Sequence, residues 1–260
     1  MRHGQSSGNI GGTLMGQSDH LLTELGEAQA RAAAARLAPF GPMPVYCSDL
    51  PRAMATAEHI VRAWSSRLAP EAAAAAGADV GAHHRVLPDS RLREMDLGDY
   101  EGRSWEEFEA DHELTAAFAA DPFGTALPNG ESLAHLETRV MAAVEDVVAA
   151  HGIAAHGRLS TDVVAPSDAS ALATGFHTIE PGENACIVAH DGPIRAILNH
   201  YLGVPPEKWW TLSTTHGGVS LLDFSDSWVN IRFINATSHL AGLGDTGYVP
   251  SESADGPAAG

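Results

Sequence analysis

The chain is short of positive charge, of cysteine and of long apolar runs, and each shortage excludes something. Its 260 residues carry 15 Lys+Arg against 33 Asp+Glu, a net charge of −18 with histidine neutral. Lys208 is the only lysine. Nucleic acid and anionic membrane surfaces would repel such a polyanion, so neither is an expected partner. Cys47 and Cys186 are too few for a disulfide framework, and each lies in a short apolar stretch where a free thiol behaves as a small hydrophobe. No apolar run reaches the roughly 18 residues of a membrane-spanning helix. The N-terminus enters Met1-Arg2-His3-Gly4 without the apolar core of a signal peptide, which makes the cytoplasm the default location.

What is present suits a folded enzyme-sized unit. Hydrophobic residues make up 44% of the chain, and at about 150 residues per domain the length allows one large domain or two small ones. Thr23 can cap a helix with Glu24 and Glu27 in its first turn, running to about Leu37 and stopping before Pro39. Residues 44–48 read as a short buried strand, and Pro51 at a first-turn position opens a second helix through Thr56, Ile60 and Trp64. Ser104 and Glu107 form a capping box. Leu133, Leu136, Val140 and Val144 fall at helical spacing within 132–150. Residues 185–189 are a continuous apolar strand with a helix over 193–202 behind it, and 219–224 and 228–234 read as a hairpin across Ser-Asp-Ser. This places one domain over 1–243, with loop insertions at about 69–84 and 151–181 and a disordered tail over 244–260. Alternating strand and helix argue for α/β with a mainly parallel sheet, whose ligands bind at the carboxyl ends of strands.

Four such junctions are rich in chemistry. They are Arg2-His3-Gly4-Gln5-Ser6-Ser7-Gly8-Asn9, Ser48-Asp49-Leu50-Pro51-Arg52-Ala53, residues 92–102, and Ala189-His190-Asp191-Gly192-Pro193-Ile194-Arg195. Two histidines and two arginines at strand ends of an acidic protein form a candidate positive island for a small dianion such as a phosphate monoester. A nearby glutamate could protonate a leaving oxygen. Each residue also has a plainer reading. Arg52 could lie on a helix surface, His190 could be a structural histidine, Asp96, Asp99 and Glu101 compete with Glu94, and Glu131 could cap a helix or order the site. Trp209-Trp210 reads as packing, and the adjacent His83-His84 pair has poor chelating geometry.

Taken together with Pro128-Asn129-Gly130-Glu131-Ser132 and Asn235-Ala236-Thr237-Ser238-His239-Leu240, these motifs resemble, over about residues 1–240, the histidine phosphatase superfamily with its phosphoglycerate-mutase-like fold. The resemblance implies a three-layer α/β/α architecture. It implies His3 as the nucleophile that takes the phosphoryl group. It implies Arg2, Arg52 and His190 as holders of the phosphoryl oxygens, with Asn9 and Ser6 adding hydrogen bonds. Glu94 becomes the general acid and then the base. Asp191 and Gly192 complete the substrate-binding set, although Asp191 replaces a customary glycine. Its carboxylate could raise the pKa of His190 and weaken anion binding, or point to solvent. In that family an apolar strand precedes Arg-His-Gly. Only Met1 precedes it here, so the first family strand is expected to be missing, Met1 to be an internal methionine, and about five to eight mostly apolar residues to be encoded upstream.

Phosphoryl transfer depends mostly on positioning and charge stabilisation. Four cationic or donor groups can supply both, so no metal and no cofactor are implied. Between the general-acid motif and Gly-Glu-Ser, residues 103–129 offer only Arg103 as a basic side chain, and Gly8 stands where glycolytic mutases carry tryptophan. The expected activity is therefore a phosphomonoesterase acting on a small phosphorylated metabolite. A bisphosphoglycerate-dependent phosphoglycerate mutase is the runner-up, and a catalytically silent phospho-ligand binder the third reading. A homodimer is compatible with all three.

Overall fold

The computed structural model describes residues 1–66, 85–151, 184–224 and 229–243. The loop reading over 69–84, nearly all of that over 151–181, the Ser-Asp-Ser turn and the tail from 244 lie outside the described residues. In chain order the longer elements are α1 (Glu24–Leu37), β1 (Val45–Cys47), α2 (Pro51–Ser65), β2 (Val86–Pro88), α3 (Trp105–Ala110) and α4 (His112–Ala120). They continue with α5 (Leu133–Ala150), β3 (Cys186–Val188), α6 (Asp191–Leu202), β4 (Val219–Phe224) and β5 (Val229–Ala236).

The caps act as their residue types dictate. Thr23 Oγ1 accepts from the Gly26 amide at 3.0 Å, starting α1. Ser104 and Glu107 answer each other's amides at 2.8 and 3.2 Å, starting α3. Ser132 Oγ accepts from the His135 amide at 3.2 Å, starting α5. α6 begins at Asp191 rather than Pro193, because a first-turn proline has no amide the helix needs. Two elements have no counterpart in the sequence reading. β2 is three residues ending in proline, and α4 buries none of its residues, so neither carries a periodic apolar signal.

β1 lies between β2 and β3 in a parallel sheet, with Val45 opposite Val86 and Cys186. Strand alternation sorts the side chains between two layers. Val45, Cys47, Cys186 and Val188 pack with Ala53, Ala57, Ile60 and Trp64 of α2 and with Ala34 of α1. Tyr46 and Ile187 point the other way, towards Ala143 of α5 and Ile194 and Leu198 of α6. Both cysteines are free and buried, and burial pushes the Cys47 thiol up to about 12, which leaves it unreactive. β4 and β5 form a separate antiparallel pair.

Between the two sheets runs the tripeptide Met1–His3. The Met1 amine donates to the Ile187 carbonyl at 2.6 Å. The Met1 carbonyl accepts from the Ala189 amide at 3.0 Å, and the His3 amide donates to the Ala189 carbonyl at 3.0 Å. On the opposite side, Arg2 exchanges backbone hydrogen bonds with Gly218 and Gly217 at 3.1 and 3.2 Å. Arg2 and His3 are thus fixed by main-chain bonds to β3 and to the turn before β4.

Gly4 then lets the chain press onto the start of α1. A Cβ there would sit 2.3 Å from the Gly26 carbonyl oxygen, and a Cβ on Gly26 would sit 1.9 Å from that of Gln5. Backbone meets backbone, so neither side can yield. Gly4→Ala is expected to lower the unfolding free energy by about 1–3 kcal/mol, the usual cost of overpacking. Denaturant unfolding measures this, and a change below about 0.5 kcal/mol, the surface-substitution range, would contradict the tight approach.

Candidate active site

His3, His190 and the start of α2 meet at the carboxyl edge of the parallel sheet. His3 is buried, and its Nδ1 lies 2.6 Å from the Gly4 carbonyl oxygen. A carbonyl only accepts, so Nδ1 carries the proton and Nε2 holds a free lone pair. Burial lowers the pKa of His3 well below the usual imidazole value, and His190, His216, Arg52 and Arg2 lower it further. The result is a neutral ring with a bare Nε2.

His190 ends β3, and its ring centroid lies 4.8 Å from that of His3. Its Nδ1 accepts from Arg52 Nε at 3.3 Å, which leaves the proton on Nε2, 2.8 Å from Ser48 Oγ. Burial first, then Arg52, Arg2 and Arg139, keep this ring neutral too.

Arg52 is no surface arginine: it is 1% exposed. Its Nη1 and Nη2 donate to the carbonyls of Ser18 and Gly16 at 2.8 and 2.7 Å. Glu101 holds those carbonyls in place, accepting from the amides of Gly16 and Gln17 and from the Ser18 hydroxyl at 3.1, 2.7 and 2.9 Å. Arg2 donates through Nη1 to the Thr214 carbonyl at 2.5 Å, while its buried Nε has no partner among the described residues.

Glu94 faces the N-terminus of α6. Its Oε1 accepts from the Met95 and Gly192 amides at 2.9 and 3.1 Å. Burial pushes its carboxyl up, and Asp191 adds to the rise against the opposing pull of these amides and Arg2. A raised carboxyl is what a general acid near neutral pH requires. Its competitors have other partners. Asp96 Oδ1 accepts from the Gly98 amide at 2.9 Å, Asp99 from Asn129 at 3.0 Å, and Glu101 holds the Gly16–Ser18 loop.

The remaining expected residues serve the site less directly. The Ser6 hydroxyl and amide both donate to Asn9 Oδ1, at 2.8 and 2.9 Å, tying the turn after His3 together. Asp191 neither points to solvent nor bears on His190. It accepts from Arg195 Nε at 2.7 Å and Thr214 Oγ1 at 2.6 Å, and lies 3.8 Å from Arg2. Burial opposes its ionisation, but Arg2, Arg195 and Thr214 outweigh it and hold the carboxyl below the usual range. Gly192 is the space for Glu94: a Cβ there would lie 2.3 Å from Oε1.

Sequence reasoning missed the clamps. Arg139, on α5, donates to the carbonyls of Arg91, Arg93 and Glu94 at 2.7, 2.7 and 2.8 Å and pairs with Glu131 at 2.6 Å. Glu131 also accepts from the Asp96 amide at 3.0 Å, so it orders the Glu94 loop while Ser132 does the capping. Arg93 forks onto Asp49 with two bonds of 2.6 Å, tying that loop to the end of β1. Of the tryptophans, Trp209 is packed against Phe123, whereas Trp210 is 63% exposed beneath the Arg195 guanidinium. Also missed was His216, buried with its ring 5.6 Å from His3. Arg139 could have been sought as the one arginine on the Leu133–Val148 face, but His216 lies in a Thr-Thr-His-Gly-Gly turn without periodicity.

The geometry has relatives. A glucosyl-3-phosphoglycerate phosphatase of Mycobacterium tuberculosis is 30% identical over 228 residues, 88% of this chain and 84% of that protein. A protein named probable phosphoglycerate mutase, from Enterobacter sp. strain 638, is 32% identical over 249 residues, 92% of this chain and 93% of its own. Among solved structures, a mycobacterial glucosyl-3-phosphoglycerate phosphatase with VO3 superposes with a TM-score of 0.63 at 26% identity, covering 90% of this chain and 96% of that one. The family model of the histidine phosphatase superfamily, branch 1, matches residues 1–73, 59–161 and 169–237. With most of its length matched and the paired histidines, arginines and glutamate gathered at one sheet edge, the chain belongs to the histidine phosphatase superfamily.

Proposed function

We propose that the protein is a phosphomonoesterase that hydrolyses a small phosphorylated metabolite through a phosphohistidine intermediate. The observation that carries this reading is the geometry of the centre: His3 bonded through Nδ1 to the Gly4 carbonyl so that Nε2 is bare, a buried Arg52 and a half-buried Arg2 beside it, and Glu94 held at the start of α6, where burial pushes its carboxyl up.

In the first step His3 Nε2 attacks phosphorus as the bond to the ester oxygen breaks. Glu94 passes its proton to that oxygen, which leaves as an alcohol. In the second step Glu94, now a carboxylate, takes a proton from water as the water oxygen attacks phosphorus. The P–N bond breaks, and phosphate leaves with His3 restored. Arg2 and Arg52 hold the non-bridging oxygens, His190 joins them by exchanging its Nε2–H bond to Ser48 Oγ for one to the phosphoryl group, and Asn9, whose amide nitrogen is not used by Ser6, adds a donor. Burial is what makes these charges count, because water would screen them.

Hydrolysis is favoured over mutase activity by the 103–129 stretch. Its only arginine, Arg103, lies with its guanidinium 4.8 Å over the Tyr100 ring, and α3 and α4 bring Glu106, Glu107, Glu109 and Glu113 instead of cations. A second phosphate would find few partners there. The substrate class follows from the relatives named for phosphorylated metabolites. Among the described residues no helix is long and apolar enough to cross a membrane. The reading includes a cytoplasmic place of action, in keeping with free buried thiols and a charged metabolite.

Rapid quench with a labelled ester should place an acid-labile, base-stable phosphoryl group on His3, and His3→Ala should abolish it; label on another residue would overturn the assignment. Glu94→Gln should slow alkyl esters by about 10²–10⁴-fold, the usual worth of general acid catalysis, and aryl phosphates much less. Because the Glu94 pKa is raised, wild-type turnover on alkyl esters should fall only as pH passes above the usual glutamate range, and Glu94→Gln should remove that limb. Equal losses on both ester types would count against the role. Turnover of a metabolite panel should survive excess EDTA, and 3-phosphoglycerate with bisphosphoglycerate should be mutated far more slowly than the best ester is hydrolysed. Chelator sensitivity or a dominant mutase rate would contradict the reading.

A further inference from the structure

His216 is 5% exposed, yet among the described residues neither of its ring nitrogens has a hydrogen-bond partner. Buried imidazoles normally pair at least one nitrogen, because an unpaired buried polar atom is costly. The ring is not loose. The Thr215 amide donates to Asn235 Oδ1 at 2.9 Å and Asn235 Nδ2 returns to Thr215 Oγ1 at 3.1 Å. The Thr214 hydroxyl is held by Asp191 at 2.6 Å, and the Gly217 amide by the carbonyls of Arg2 and His3 at 3.2 and 3.1 Å. A positive φ of 74° at Gly217 turns the chain there. Main chain on both sides of the ring is therefore pinned to the site, with the ring 5.6 Å from that of His3.

A neutral imidazole offers one N–H, and this one is neutral: burial and then Arg2 lower its pKa to about 3, against Asp191. Arg2 and Arg52 are the cations that bear on it, and the nearby carboxylate of Asp191 is already taken by Arg195 and Thr214. The nearby Arg2 Nε–H is likewise buried and, among the described residues, unpaired. Two unused N–H donors beside a nucleophile lack the same thing, an oxygen that accepts from both.

We infer that His216 is a further phosphoryl-binding residue, donating one N–H to a non-bridging oxygen of the group held at His3 alongside Arg2. The inference rests on the phosphomonoesterase reading and adds a second imidazole, beside His190, to its oxyanion cradle.

The test uses inorganic phosphate as probe on the full chain, by titration calorimetry, with thermal unfolding and ester hydrolysis measured in parallel. His216→Phe keeps the ring against His3 and removes the donor. His216→Gln keeps an N–H. The expected result is phosphate affinity about tenfold or more weaker in His216→Phe, the range for a hydrogen bond to a charged group. Its ligand-free melting temperature should be unchanged or higher, since an unpaired polar group has gone. His216→Gln should stay within about threefold of wild type, by the same affinity scale. Wild-type-like phosphate affinity in His216→Phe would overturn the inference and make His216 a packed ring. So would equal loss of affinity in both variants together with lowered melting temperatures. If the wild type binds phosphate, and His216→Phe does not, while no ester in the panel is hydrolysed, the phosphomonoesterase reading fails and the His216 assignment stands.

Discussion

The 2.6 Å hydrogen bond from His3 Nδ1 to the Gly4 carbonyl is the interaction on which the site depends. It fixes the tautomer and leaves the Nε2 lone pair bare, as the proposed attack on phosphorus requires. It forms only because residues 1–3 are laced to Ala189 on one side and Gly217–Gly218 on the other, and because Gly4 can lie against Gly26. Burial does the rest. Removing water from two imidazoles and two arginines drives the imidazoles neutral and leaves the arginines as the fixed positive charge.

A pocket with so much buried polarity holds its shape only if its donors and acceptors are spoken for. Three carboxylate-centred ties perform this task. Glu101 gathers the Gly16–Ser18 loop whose carbonyls grip Arg52; Glu131 and Arg139 gather the strand of chain that presents Glu94; and Asp49 with Arg93 joins that chain to the end of β1. These three carboxylates, of the 33 in the chain, thus act as internal ties rather than as free surface charge. Asp191 is a fourth case. It neutralises Arg195, seats Thr214 and stands near enough to Glu94 to favour its protonated form.

The elements with a regular apolar face or a strong cap were legible: α1 from Thr23, α2 from Pro51, α5 from the Leu133–Val144 spacing, and β1 and β3 as short apolar runs. So were the residues gathered at the candidate site, since His3, Arg52, Glu94 and His190 sit directly after strands or in the dense junctions between elements. What periodicity could not reveal were the parts whose role is set by tertiary partners. Arg139 looks like any helix arginine until its fork is seen around three carbonyls. Asp191 reads as a helix-start carboxylate until Thr214 closes on it from 23 residues away. β2 is too short, and α4 too exposed, to leave a pattern.

The central claim is that His3 is neutral and protonated on Nδ1 in the resting protein. Histidine ring nitrogens report this directly in ¹⁵N-resolved NMR of the full chain, with His3→Ala supplying the assignment. At about pH 5.5, one unit below the ordinary imidazole pKa, the account predicts that His3 is still neutral, with its proton on Nδ1 and Nε2 bare. A His3 that titrates near its ordinary pKa, or that carries its neutral proton on Nε2, would contradict it.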